Sequence, residues 1–140
     1  MTRDEISRFL DRRLDAWQRL DVAALTADHA VDGTVQSPTA GTITSQGAIE
    51  AVYRRWFDAF PDLKVNHEDV LIDDHRVAVF FGMSGTHRGD FMGIAGTGRR
   101  FDFKGVFLYD LADGHIKRDR RVYDFTGLLV QLGVLKARPA

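Results

Sequence analysis

Four side chains have the chemistry to handle a proton or a developing charge: Tyr53, His87, Arg121 and Asp124. His87 stands in the run Gly85-Thr86-His87-Arg88-Gly89. With an ordinary pKa of about 6.5, an imidazole there suits a proton donor or a hydrogen bond to an oxyanion. The alternative is a rim histidine bonded to backbone. Tyr53 can offer a phenol into a pocket or sit in the core. Asp124 directly precedes Phe125-Thr126-Gly127-Leu128-Leu129. A carboxylate at an apolar pocket mouth has a raised pKa and suits proton abstraction beside a carbonyl. The same aspartate can instead cap the helix that follows it. Arg121 can bind a carboxylate or stabilise an enolate oxygen, or it can pair with Asp119 or with an acid on a neighbouring strand.

Other chemistries find no support. The histidines at 29, 67, 75, 87 and 115 show no metal-ligand spacing, so no metal is expected. There is no cysteine for a thiolate or disulfide, and no Gly-x-Ser-x-Gly nucleophile elbow. Residues 93–99, Gly-Ile-Ala-Gly-Thr-Gly-Arg, lack the Gly-Lys-Ser/Thr ending of a phosphate loop and lead into a strand rather than a helix. They read as a bent inter-strand connection, a pocket lip. Lys117-Arg118-Asp119-Arg120-Arg121 is the one basic cluster. On a strand it splits, with Arg118 and Arg120 on one face and Asp119 and Arg121 on the other, so a salt-bridge lattice on the sheet is expected. A net charge of −1 argues against a dedicated nucleic-acid binder. No apolar run approaches the roughly 18 residues that cross a bilayer, and the first ten residues contain no apolar leader core. A soluble, cytoplasmic protein is expected.

The elements that must position these groups follow from periodicity. At 140 residues and 44% hydrophobic content, a single domain over 1–140 with a real core is expected. Thr2 and Glu5 have capping-box spacing, and Ile6, Leu10, Leu14, Trp17 and Leu20 recur on one helical face. Asp21 can cap a short helix over 22–30, and residues 32–43 read as a short strand broken at Pro38 and Gly41. Ser45 starts another helix whose apolar face carries Ile49, Val52, Tyr53, Trp56, Phe57 and Phe60, and Pro61 ends it. The period then changes to two, predicting strands over 63–72, 76–87, 99–111 and 115–123. Turns fall at 73–75 and 112–114, and a short closing helix ends near Gly133.

Helices followed by a curved meander make an α+β pattern, a bent sheet wrapped over a helix with an apolar interior. Phe101, Phe103, Gly105, Phe107 and Tyr109 share one strand face. They can wall a pocket or fill the core against the Tyr53 and Trp56 helix.

Several motifs, in this order and spacing, resemble the SnoaL-like polyketide cyclases of the NTF2-like, ketosteroid-isomerase-like superfamily. They are Gly-Thr-His-x-Gly at 85–89, Thr-Gly-Arg-Arg at 97–100, Asp-Gly-x-Ile at 113–116 and Asp-x-x-Gly-Leu-Leu-x-Gln-Leu-Gly at 124–133. The likeness also takes in residues 56–63 and the N-terminal helices. It implies an NTF2-like cone in which N-terminal helices pack in a strongly curved antiparallel or mixed sheet. It further implies a homodimer through the sheet, an apolar pocket, and no metal or organic cofactor. The expected ligand is a small, apolar, carbonyl-bearing molecule, transformed by acid–base isomerisation or intramolecular aldol cyclisation. Asp124 then exchanges the proton, while His87, Tyr53 or Arg121 stabilises the oxygen. Trp17, Trp56, Phe60, Phe101, Phe103, Phe107 and Tyr123 are the expected substrate-binding residues. Where the family pattern reads Asp-x-x-Asp, this chain has Arg121-Val122-Tyr123-Asp124. Arg88-x-Asp90 also resembles limonene epoxide hydrolase, which implies epoxide hydrolysis as an alternative, with Arg121 where the third acid would fall. A non-catalytic ligand-binding module is the remaining alternative.

Overall fold

The computed structural model describes residues 1–136. The chain order is α1 (Arg3–Gln18), α2 (Val22–Ala27), β1 (His29–Ser37), β2 (Gly41–Ile43), α3 (Gln46–Ala59), β3 (Lys64–Asp73), β4 (Arg76–Thr86), β5 (Arg100–Ala112), β6 (His115–Tyr123) and α4 (Phe125–Gln131). One six-stranded sheet has the order β2-β1-β6-β5-β4-β3. Every neighbouring pair is antiparallel except β1 and β6, which run parallel. The helices pack on the inner face of this curved, mixed sheet.

Local chemistry sets most boundaries. Thr2 and Glu5 form the capping box that starts α1. Ser45 caps α3 by accepting from Ala48 N–H. Along β5, Phe101, Phe103, Phe107, Tyr109 and Leu111 are buried while Asp102 and Lys104 are exposed. That is period two with one face on the core. Gly105 interrupts the row because a Cβ there would stand 2.7 Å from the Phe81 ring. The bare backbone lets Phe81 stack on Phe107 at 4.0 Å between centroids.

Two expectations near the N-terminal half are corrected. The second helix ends at Ala27 rather than reaching Ala30, because His29 opens β1 and pairs with Ile116 of β6. The expected short strand is nine residues long for the same reason, since ladder pairing with a distant strand overrides local preference. From Arg118 onward the basic cluster of β6 splits as its alternation requires. Outside, Arg118 and Arg76 both pair with Asp110, and Lys117, turned out by an irregularity in the β5–β6 ladder, pairs with Asp32. Inside lie Asp119 and Arg121.

One cation inside the core joins the helices to each other. Arg13 sits on the apolar stripe of α1 and is 1% exposed. Its guanidinium donates to Leu25 O at 3.2 Å, to Asp28 Oδ2 at 3.0 Å and to the Tyr53 hydroxyl at 2.9 Å. It also stands 5.5 Å from the Tyr109 ring centre. A buried charge is tolerated only when so paired. Burial opposes the charge, but Tyr53, Tyr109 and Asp28 together outweigh it and hold the group well above its ordinary pKa. Arg12 reaches the same carboxylate from solvent at 2.9 Å. Arg13→Met is expected to cost about 3 kcal/mol or more, while Arg12→Met costs about 1 kcal/mol or less. Urea unfolding of both variants checks this, and equal losses would remove Arg13 from its central role.

Candidate functional site

A cavity lies between the helices and the sheet. Trp17 of α1 and Val52, Tyr53 and Trp56 of α3 form one wall. Phe81 and Met83 of β4 and Phe103 and Phe107 of β5 form the other, with Arg121 and Tyr123 of β6 and Ser37 of β1 completing it. The aromatic walls are in mutual contact: Trp17 stacks on Phe107 at 5.8 Å and Phe103 on Tyr123 at 5.1 Å. The space in which the centre of a water molecule can move is only about 20 Å³, close to what a single water needs. The rings therefore do both things the sequence allowed: they wall a cavity and nearly fill it.

Arg121 is the charged group of this cavity. It is 8% exposed. Its Nε donates to Asp119 Oδ2 at 3.0 Å, and its Nη2 stands 2.9 Å from that oxygen and 2.9 Å from the Tyr53 hydroxyl. Asp119, two residues away on the same strand face, is fully buried. The guanidinium lies 4.9 Å from the Tyr53 ring centre and 5.6 Å from that of Phe107. Burial opposes its charge, yet Asp119, Tyr53 and Tyr109 more than compensate, so it stays cationic with a pKa above the ordinary arginine value. Nη1 makes no hydrogen bond among the described residues. One end of the cation is thus fixed and the other is an unused donor.

Tyr53 contributes its ring to the cavity and its oxygen elsewhere. That oxygen accepts from both Arg13 and Arg121, using both lone pairs. The phenolic proton then has one place to go, His29 Nε2 at 2.7 Å. The expected proton-donating phenol is therefore engaged on all sides, and Tyr53 positions Arg121. The same count makes His29 a neutral acceptor at Nε2. Burial, then Arg13 and Arg121, push its pKa well below the ordinary histidine value.

Four of the expected site residues, Asp124, His87, Phe60 and Phe101, stand outside the cavity, as do Arg88 and Asp90 of the alternative reading. Asp124 is exposed and caps α4 through Gly127 N–H at 2.8 Å, so of its two readings the structure forms the cap. His87 is not on the rim but fully buried. Its ring packs against Phe60 at 5.6 Å, and its Nδ1 receives Thr97 N–H at 3.3 Å, tying down the glycine-rich connection. Phe60 and Phe101 pack together at 4.7 Å in that same part of the core rather than on the cavity. Arg88 and Asp90 are exposed in the connection, and Asp90 accepts from Gly93 N–H, so no enclosed water-activating pair forms. Among the described residues no group of three or more His, Asp or Glu is placed to hold a metal ion.

Sequence reasoning missed Arg13, His29 and Ser37. Arg13 had a legible signal, since it interrupts the apolar row of Ile6, Phe9, Leu10 and Trp17. His29 had none, because its role arises from the unforeseen start of β1. Tyr123 occupies the cavity as expected, its hydroxyl bonded to Thr39 Oγ1 at 2.8 Å and its pKa raised by burial.

Helices held within one curved six-stranded sheet over an aromatic cavity define the NTF2-like, ketosteroid-isomerase-like fold. Residues 7–132 match the family model of SnoaL-like polyketide cyclases, and the chain belongs to that family. AclR from Streptomyces galilaeus, a suggested hydroxylase, is 26% identical with a TM-score of 0.86, the alignment covering 99% of this chain and 91% of AclR. IdmH from Streptomyces antibioticus, a suggested polyketide cyclase, is also 26% identical, with a TM-score of 0.76 and coverage of 91% and 98%. A ketosteroid-isomerase-like protein from Catenulispora acidiphila, solved with trimethylamine, shares the fold at 20% identity and a TM-score of 0.77, with coverage of 91% and 93%. No curated protein matches the chain significantly.

The buried network has a pH signature. Unfolded His29 protonates near its ordinary pKa of about 6.5, whereas folded His29 refuses the proton until a lower pH. Below that ordinary pKa the unfolded state binds more protons, so stability falls as pH falls, by at most about 1.4 kcal/mol per unit. His67, also depressed by burial and by Arg13, adds in the same direction. Between about pH 7.5 and about pH 5.5 the urea midpoint is expected to drop, and to drop less in His29→Gln. Identical pH slopes in the two proteins would exclude His29 as the source.

Proposed function

We propose that the protein binds a small, mostly apolar, carbonyl-bearing molecule between the aromatic walls of the cavity, whose rings part to admit it, with the carbonyl oxygen accepting a hydrogen bond from Arg121. The observation that carries this reading is the free Nη1 end of a guanidinium that Asp119 and Tyr53 hold in place. A preorganised cationic donor in an apolar site polarises a carbonyl and stabilises the enolate oxygen that forms when a neighbouring proton leaves. This is the part of an isomerase or intramolecular aldol cyclase that the cavity supplies without any metal or organic cofactor. Among the described residues, none that lines the cavity is a carboxylate. That favours a second reading, a ligand-binding module without turnover.

The two are separated with 2-tetralone, a fused-ring ketone with acidic protons beside its carbonyl. Trp17 and Trp56 line the cavity and report binding through their fluorescence. Removing a hydrogen bond from a charged donor is expected to weaken binding about tenfold or more in Arg121→Met. The double variant Arg121→Met/Asp119→Leu removes both buried charges together and controls for damage to the fold. Asp124→Asn is expected to bind as the parent does. Unchanged affinity in both arginine variants would overturn the reading. Deuterium entering the ketone in heavy water supports acid–base turnover, and binding without exchange supports the module.

Two copies pairing through the sheet belong to the same proposal. Leu71, Phe80 and Val122 are exposed on the strands, on the face away from the cavity. Sedimentation is expected to show a dimer that Phe80→Lys dissociates, and a parent monomer at all concentrations would refute the pairing.

A further inference from the structure

A second space lies directly outside the cavity, between α3 and the glycine-rich connection over 87–99. Its free volume is about 100 Å³, against about 20 Å³ within. Val52 and Trp56, one helical turn apart on α3, line both spaces. The partition is completed by Tyr123, which lines the inner space, through its hydrogen bond to Thr39, which lines the outer one. Trp56 is wedged between the two sides. Its ring meets Phe91 edge-on at 5.0 Å outside and Tyr123 at 5.8 Å inside. Its indole N–H makes no hydrogen bond among the described residues, so the ring is held by packing, chiefly against its aromatic neighbours.

The outer space differs in chemistry from the inner one. Arg55, Asp90 and Thr39 line it beside Phe91 and Met92. Arg55 forms no ion pair among the described residues, whereas its neighbour Arg54 is paired with Glu50. Asp90 already accepts from Gly93 N–H. The floor is rigid, since a Cβ on Gly89 would stand 2.3 Å from Asp58 O at the end of α3. The connection therefore presses its backbone onto that helix, and Arg88 and Gly89 both donate to Ala59 O.

We infer that the outer space is a second subsite of the same binding site, taking an anionic oxygen group at the polar end of an elongated ligand. Arg55 supplies the charge, and Trp56 is the partition that decides how long an apolar body can enter. This rests on the ligand-binding reading above. Displacing the Trp56 ring joins the two spaces and gives the ligand the length that the inner space alone lacks.

Two fluorescent probes test it: 1-anilinonaphthalene-8-sulfonate, with fused rings and an anionic group, and N-phenyl-1-naphthylamine, the same skeleton without the sulfonate. Arg55→Gln is expected to weaken the sulfonate probe about threefold or more and to leave the neutral probe unchanged. Asp90→Asn, which removes a like charge, is expected to tighten the sulfonate probe alone. Trp56→Ala is expected to tighten both probes, with Trp56→Phe as the milder variant if alanine impairs folding. If both probes bind but Arg55→Gln leaves their ratio unchanged, the anionic subsite is wrong while the cavity reading stands. If Trp56 variants bind no tighter, the partition is wrong. If neither probe binds the parent or any variant, the cavity reading itself fails and the subsite with it.

Discussion

The hydroxyl of Tyr53 is the point on which this structure closes. It lies between the guanidiniums of Arg13 and Arg121, at 2.9 Å from each, and 2.7 Å from His29. Two buried cations approach one oxygen because each brings its own carboxylate: Asp28 for Arg13 and Asp119 for Arg121. The charges cancel, the lone pairs are filled, and α1, α3, β1 and β6 are tied at one place. Such a network is costly if any member is lost, because what remains is an uncompensated charge in an apolar core.

The same closure decides what the cavity can do. With Asp119 and Tyr53 holding one edge of the guanidinium, Arg121 cannot swing, and its remaining N–H groups face a fixed direction. That is preorganisation, the condition under which a donor is worth more toward a developing charge than water is. It also takes the Tyr53 hydroxyl out of reach as a proton-transfer group, while Asp119 gives Oδ2 to Arg121 and keeps Oδ1 buried without a partner among the described residues. The interior is strong in binding and polarisation, and poor in bases.

Around this centre the sheet and the glycine-rich connection do different jobs. The sheet's alternation sorts one basic cluster into an outer lattice on Asp110 and an inner pair at the cavity. The connection closes the end of the cone by lying on α3, pinned by the buried His87 ring and by Ala59 O. Gly89 and Gly96 serve close backbone approach, Gly93 and Gly98 take positive φ, and the connection's one acidic side chain on the outer space, Asp90, sits at a mouth rather than in a catalytic pair.

Much of the fold was legible in local patterns. The capping box at Thr2 and Glu5, the aromatic face of α3, the four long strands and the Phe101 to Tyr109 face all lie where periodicity puts them, because side-chain spacing on helices and strands is a local property of the backbone. That Asp119 and Arg121 share one strand face was legible for the same reason. What the sequence left open was every choice between two uses of one side chain. Asp124 could be base or cap, His87 rim or core, Tyr53 donor or hub. Nothing within a few residues distinguishes these, because each depends on which distant element comes to lie against it. Arg13 reaches Tyr53 from 40 positions away, and Arg121 from 68. Those separations are bridged only when the parallel pairing of β1 with β6 brings His29 and Arg121 to the same wall. Local spacing determined the elements and their faces; the long-range closure of charges decided which polar groups remain free to meet a ligand.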